Sequence, residues 1–181
     1  MKNKLIAFFE RWASWKNVLI FFALQMIFSI VIMPAASGSD ANELPVLDLQ
    51  FFYTPQQAYT IIAAYTPAMR QAAAITRLTL DVIYPLIYGM MLSLLLVLTF
   101  RRAFAQSALT DAVIFLPWGG VLFDYLENIG FATMFLSYPR EFHALAQVSA
   151  IFTALKWTLI GVAFLLALVG GLKLIFSRKQ T

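Results

Sequence analysis

Four stretches of about 20 apolar residues, the length a helix needs to cross a bilayer, leave this chain little choice of fold. They run over residues 17–34, 78–100, 111–137 and 147–176. Hydrocarbon offers no water to satisfy backbone N–H and C=O groups, so such stretches must be helices bonded within themselves. The expected fold class is therefore all-α: a polytopic membrane protein forming one four-transmembrane-helix bundle over residues 1–181, with a partly helical outer loop at 35–77. Only 12% of the residues are charged and 61% are hydrophobic, against about 25% charged in an average soluble domain. The surplus apolar surface has to face lipid. The last two stretches exceed a minimal span and are expected to tilt or to emerge from the bilayer. The chain has no cysteine, which excludes disulfides, thiolate metal sites and thiol catalysis.

The basic residues set an orientation. Lys2, Lys4, Arg11 and Lys16 precede the first span, Arg101 and Arg102 fill the link between the second and third, and Lys173, Arg178 and Lys179 close the chain. The positive-inside rule then places both termini in the cytoplasm of a multi-pass protein of the cell (inner) membrane. The net charge of +4 follows from this placement. No Lys/Arg run has the character of a nucleic-acid site, so the expected surroundings are the lipid bilayer and no nucleic acid. The first span also has features of a signal peptide, with a basic leader and small residues at Ala35, Ala36 and Ser37, but its long leader favours a retained helix.

The outer loop carries its own helical grammar. Ser37-Gly38-Ser39-Asp40-Ala41-Asn42 reads as a flexible turn. Thr54-Pro55-Gln56-Gln57 reads as a capped start, with Pro55 in the first turn and Gln57 completing a capping box, for a helix to about Tyr65. Thr66-Pro67 repeats the start, and from there the pattern predicts a helix running unbroken into the second span. The aromatics Phe51, Phe52, Tyr53, Tyr59 and Tyr65 suit a segment at headgroup level, and equally a lid packed on the bundle.

Ionisable residues inside the spans are the chemical signal. A charge at the bilayer centre costs about 2.5–3.5 kcal/mol on insertion scales, so such residues face a protein interior or a wet cavity. Helical phase puts Arg70, Arg77, Asp81, Tyr84 and Tyr88 on one face, with Arg77 and Asp81 four apart. Pro85 lacks the N–H that would bond the carbonyl of Asp81, and Pro117 likewise frees the carbonyl of Val113. In the third span Asp124, Glu127 and Asn128 share a face, with Gly120 leaving room one turn below. Ser149, Thr153 and Lys156 share a face of the fourth, and Gln25 and Ser29 stand four apart in the first.

Depth brings these groups together. Counted from Asp111, Asp124 lies roughly 20 Å along a core about 30 Å thick. Counted from Gln147, Lys156 is about 14 Å deep, and counted from Arg77, Asp81 is about 6 Å deep. The expected polar cluster is thus one layer in the outer half of the bundle, made by Arg77, Asp81, Tyr84, Tyr88, Asp124, Glu127, Asn128 and Lys156. Carboxylates outnumber cations there. Two readings stand side by side: structural ion pairs that fix helix register, or a site for a ligand, ion or proton. Tyr84 and Tyr88 fit packing better than ligand contact, and Lys156 fits a counter-charge better than a reactive amine.

Other signals are weak. His143 is the one histidine, in an outer loop, so no usual zinc site is expected and no metal or cofactor is called for. Neither a phosphate-binding glycine loop nor a serine nucleophile motif occurs. Gly170-Gly171 reads as close helix packing or a kink, and Asp111 as a helix-start acid.

Leu47-Asp48-Leu49 with Tyr53-Thr54-Pro55, Leu80-Asp81 with Tyr84-Pro85-Leu86-Ile87-Tyr88-Gly89, and Pro117 with Asp124 and Glu127-Asn128 resemble an uncharacterised family of small bacterial four-helix integral membrane proteins. That resemblance covers most of the chain and implies architecture and site position, with no activity attached. A looser similarity, carried by Asp81 alone, is to the EXPERA group of sterol-binding proteins and isomerases. The arrangement of Asp124, Glu127 and Asn128 departs from that group, so isomerase activity is not carried over.

The leading expectation is a non-enzymatic membrane protein whose intramembrane acidic pocket binds a lipid-like or amphipathic ligand. The alternatives are a structural or accessory subunit of a larger membrane complex, a lipid-modifying enzyme using Asp124 or Glu127 as acid/base, and a proton-coupled carrier working as a homo-oligomer.

Overall fold

The computed structural model describes residues 2–37, 44–104 and 108–178. Among them the chain is all-α, without strands, and four helical stretches are long and apolar enough to cross a membrane: Trp15–Ala36, Leu80–Arg101, Ala108–Ser137 and His143–Ser177. The protein is a multi-pass membrane protein with a four-helix bundle. The expected turn at Ser37–Asn42 lies outside the described residues beyond Ser37, and so does Lys179.

Helix α1 (Lys2–Trp12) precedes the first span, which is α2 (Trp15–Ile27), a π turn at Phe28–Ile32 and α3 (Met33–Ser37). Ser14 caps α2 by accepting the Asn17 N–H at 3.2 Å. In the loop between the first and second spans a 3-10 turn at Leu47–Leu49 leads to α4 (Pro55–Ala64). The expected capping box is complete: Thr54 Oγ1 accepts from Gln57 N at 3.2 Å, and Thr54 N donates to Gln57 Oε1 at 2.8 Å.

The predicted continuous helix into the second span does not form. Instead α5 (Pro67–Leu78) and α6 (Leu80–Leu96) meet at Thr79, which has φ −125° and ψ −81°. The cause is local. The Thr79 hydroxyl donates to the Ile75 carbonyl at 2.6 Å, the acceptor its own N–H would use, and that N–H turns to Thr76 O at 3.3 Å. The break lets α5 pack on α8 and α3 while α6 crosses the bilayer.

A π turn at Val97–Arg101 ends the second span; α7 (Ala108–Val113) and α8 (Leu116–Ser137) make the third, and α9 (His143–Arg178) the fourth. Proline 117 breaks α7 from α8. Ser93 Oγ on α6 donates to the carbonyl of Ile114 in that break at 2.8 Å and accepts from Trp118 Nε1 at 3.0 Å.

Helix α8 is the hub, packed on α9, α5 and α6, whereas α2 rests on α6 and buries only Val18. Glycines set the closest approaches. A Cβ at Gly130 would stand 2.1 Å from Ser149 Oγ on α9, and one at Gly170 would stand 2.4 Å from the backbone of Phe100. Gly170 is therefore the close-packing residue of the Gly170-Gly171 pair.

The segment between the first and second spans is a lid over α8 and α9. Tyr53, Tyr59, Ile62 and Tyr65 are buried against Phe131, Met134, Phe135, Ala146 and Ala150, while Phe51 and Phe52 stay exposed. Arg70 leaves the expected stripe: its guanidinium donates to the carbonyls of Tyr65 and Ile62 at the end of α4 and lies over the Tyr138 ring at 4.5 Å. At the opposite end Arg101 joins Glu10 of α1 to Asp111 of α7, the latter at 3.0 Å, so Asp111 is an ion-pair partner as well as an early helical acid. Lys173 sits over the Phe104 ring at 3.9 Å. The start of the chain, the link between spans two and three and the end of α9 thus gather at one end of the bundle.

Candidate functional site

Nine polar side chains from the lid, α5, α6, α8 and α9 form one connected network at the lid end of the bundle. Its anchor is Arg77, buried at the end of α5. Its two terminal nitrogens reach the two carboxylate oxygens of Asp48 at 3.1 and 3.3 Å, the planar fork that guanidinium and carboxylate share. The same guanidinium reaches Asp81 Oδ2 at 3.5 Å and Asn128 Oδ1 at 3.2 Å. Asn128 passes the link onward, donating from Nδ2 to Asp124 Oδ1 at 3.2 Å and to the backbone carbonyl of Asp81 at 3.4 Å. That carbonyl is the one Pro85 leaves without a helical donor. On the next carbonyl, Val82 O, the Tyr125 hydroxyl donates at 2.8 Å.

Asp124 is held from two further sides. Tyr88 Oη donates to its Oδ2 at 3.0 Å, and Lys156 Nζ stands 3.7 Å from its Oδ1. Lys156 makes its closer pair with Glu127 Oε2 at 2.6 Å. Glu127 is fully buried, and its other oxygen accepts the Thr153 hydroxyl at 2.9 Å.

Seven of the eight predicted cluster residues are joined in this way: Arg77, Asp81, Tyr88, Asp124, Glu127, Asn128 and Lys156. Tyr84 is not. Its hydroxyl shares a hydrogen bond with Ser29 at 3.1 Å and its ring stacks on Phe28, so it ties the second span to the first. Gln25, the other polar residue of that span, presents a buried Oε1 without a hydrogen-bond partner.

Asp48 enters the site from outside the predicted set. It lies 29 residues before Arg77, in a loop whose path helical spacing cannot give. The available signal was an acid between two leucines, just before an aromatic run. Its neighbour Leu47 is buried, its own carbonyl accepts the Trp157 indole N–H at 2.8 Å, and these contacts fix the carboxylate over Arg77. Burial works to raise the Asp48 pKa, but Arg77 and Lys156 outweigh it and hold the carboxyl at about 2, below its ordinary 3.8. Burial likewise opposes the charge on Arg77, and Asp48 more than compensates, raising its pKa. Burial raises the phenols of Tyr53 and Tyr65.

Four carboxylates, Asp48, Asp81, Asp124 and Glu127, thus meet two cations, Arg77 and Lys156. Among the described residues, His, Cys, Asp and Glu side chains do not converge in threes as metal ligands.

Two cavities adjoin the network. The larger, about 470 Å³, lies between α2, α6 and α9. Asp48, Asp81, Asp124 and Lys156 line it on one side, and Phe22, Met91, Leu92, Ile160 and Phe164 line it on the other. The smaller, about 260 Å³, opens beside Arg77 toward Ser29, Met33 and Met69. Asp48, Leu49, Asp81 and Tyr84 border both. Across the larger cavity Phe22 and Gln25 of α2 face Trp157, Ile160 and Phe164 of α9, and the two helices make little direct contact.

No protein-family model, curated protein or solved structure matches the chain.

Proposed function

We propose that this protein binds an amphipathic, lipid-like ligand in the outer half of the bundle, as a non-enzymatic multi-pass protein of a bacterial inner membrane with both termini in the cytoplasm. The observation that carries the reading is the 470 Å³ cavity, a volume typical of small-molecule sites, with carboxylates in excess of cations at one side and apolar walls at the other. An amine or hydroxyl of the ligand would bond Asp81 and Asp124, beside Lys156. Its tail would lie between α2 and α9 against Met91, Ile160 and Phe164. The gap between those helices gives a lipid-borne molecule a sideways entry.

A second reading is a purely structural network. It is favoured by the pairing of Arg77 and Lys156 with two carboxylates each, since polar contacts also hold membrane helices in register.

Native mass spectrometry of the protein released from mild detergent, beside the Asp124→Asn variant, separates the two. The ligand reading expects a small molecule retained by the wild type and lost from the variant at similar stability. A wild type that retains nothing, with a destabilised variant, favours the structural network.

A further inference from the structure

We propose that the corner between α1 and α2 is a headgroup site for an anionic glycerophospholipid, separate from the central cavity. There an open concavity of about 710 Å³ is lined by Lys4, Ala7, Phe8, Arg11, Trp12 and Asn17. Lys4 and Arg11 are two helical turns apart, so both project from the same side of α1. Neither has a carboxylate at ion-pair distance among the described residues; the acid next in the chain, Glu10, is held by Arg101. Lys16, exposed at the start of α2, adds a third cation near this corner.

The setting of α1 is fixed, which turns a basic segment into a built surface. Ile6 and Phe9 are buried on the bundle, with the Phe9 ring 5.8 Å from Phe115 and 6.2 Å from Trp118. Asn17 Nδ2 donates to the Trp12 carbonyl at 2.7 Å and ties the two helices together at the corner. Leu5, Phe8, Trp12 and Trp15 are left exposed beside the cations. A helix with exposed apolar and aromatic side chains next to Lys and Arg, at the end of a spanning helix, belongs at the bilayer interface.

Charge complementarity selects the occupant. A phosphodiester takes a point charge from Lys4 and a planar fork from Arg11, while Phe8 and Trp12 lie against the glycerol and upper acyl chain. A zwitterionic lipid would bring its ammonium against the same cations. A second copy of the chain would bring like charge.

The test uses the full chain in nanodiscs of equal phosphatidylglycerol and phosphatidylcholine, with lipids retained after gentle release counted by native mass spectrometry. The wild type is expected to retain phosphatidylglycerol preferentially. Lys4→Gln/Arg11→Gln should retain roughly thirtyfold less at low salt, while Lys173→Gln should behave as wild type. Millimolar inorganic phosphate should displace none of it. Unfolding midpoints report whether the double variant is folded. Independently of any variant, raising salt over the wild type should strip phosphatidylglycerol and spare phosphatidylcholine, because exposed charges are screened. Equal retention by the folded double variant, absence of preference or salt dependence in the wild type, displacement by phosphate, or a lipid-free two-chain mass would each overturn the site.

Discussion

Asn128 on α8 donates to the carbonyl of Asp81 on α6, 3.4 Å away, at the one position in that turn where Pro85 withholds the helix's own donor. A proline that would weaken α6 in isolation thus becomes an interhelical contact. Pro85→Ala should restore an N–H to that carbonyl and make Asn128 partly redundant there. A double-mutant cycle read by reversible unfolding in detergent is expected to give Asn128→Ala a cost of about 1–2 kcal/mol, and a smaller one in the Pro85→Ala background. Strict additivity would mean the two residues are uncoupled.

Lys156 and Glu127 form the tightest ion pair of the buried network, at 2.6 Å. Removing one partner strands a charge in a low-dielectric interior, at about 3–5 kcal/mol. Lys156→Met should cost that much in unfolding free energy, and Lys156→Met/Glu127→Gln should recover most of it. A double variant as unstable as the single would point to packing around the lysine stem instead.

Asp48 predicts how stability responds to acid. Its pKa falls from 3.8 in the unfolded chain to about 2 in the folded one. A depressed carboxyl contributes stability that is fully present above the unfolded value and is lost as pH falls through the folded value. The stability difference between wild type and Asp48→Asn should therefore be level above about pH 5 and should shrink between about pH 4 and 2. Unfolding midpoints of the two proteins across pH 2–6 measure it; a difference that widens on acidification would contradict the assignment.

Gly170 and Gly171 are adjacent and should respond differently. A Cβ at Gly170 meets the Phe100 backbone at 2.4 Å, whereas one at Gly171 finds its nearest neighbour, Thr99 Cγ2, at 3.8 Å. Gly170→Ala must push α9 off the end of the second span and should cost about 1–3 kcal/mol. Gly171→Ala should be neutral or slightly stabilising, since alanine is the better helix former. Thermal unfolding of the two variants side by side decides the point.

The four spans were legible because apolar length is a one-dimensional property, and the polar layer was legible because 3.6-residue phase and rise fix face and depth within a helix. Helical rules fail where side chains compete with the backbone. The Thr79 break depends on a hydroxyl taking a carbonyl, which composition cannot reveal. Arg70 shares the phase of Arg77 on α5 but lies two turns nearer the end of α4, where the Tyr65 and Ile62 carbonyls and the Tyr138 ring take its guanidinium. Asp48 was hidden because a loop has no period. Its position is set by Leu47 packing and by Trp157, which lies 109 residues later in the chain. Tyr84 was given the right face, but its hydroxyl found Ser29 of a neighbouring span first.

The order in which the chain is made gives the Lys156 pairing a further consequence. Asp124 and Glu127 leave the ribosome before the lysine that neutralises them, so the third span reaches the bilayer with two acids and no nearby lysine. A chain stopped before residue 156 carries Asp124 and Glu127 in its third span without the lysine that pairs with both in the folded bundle.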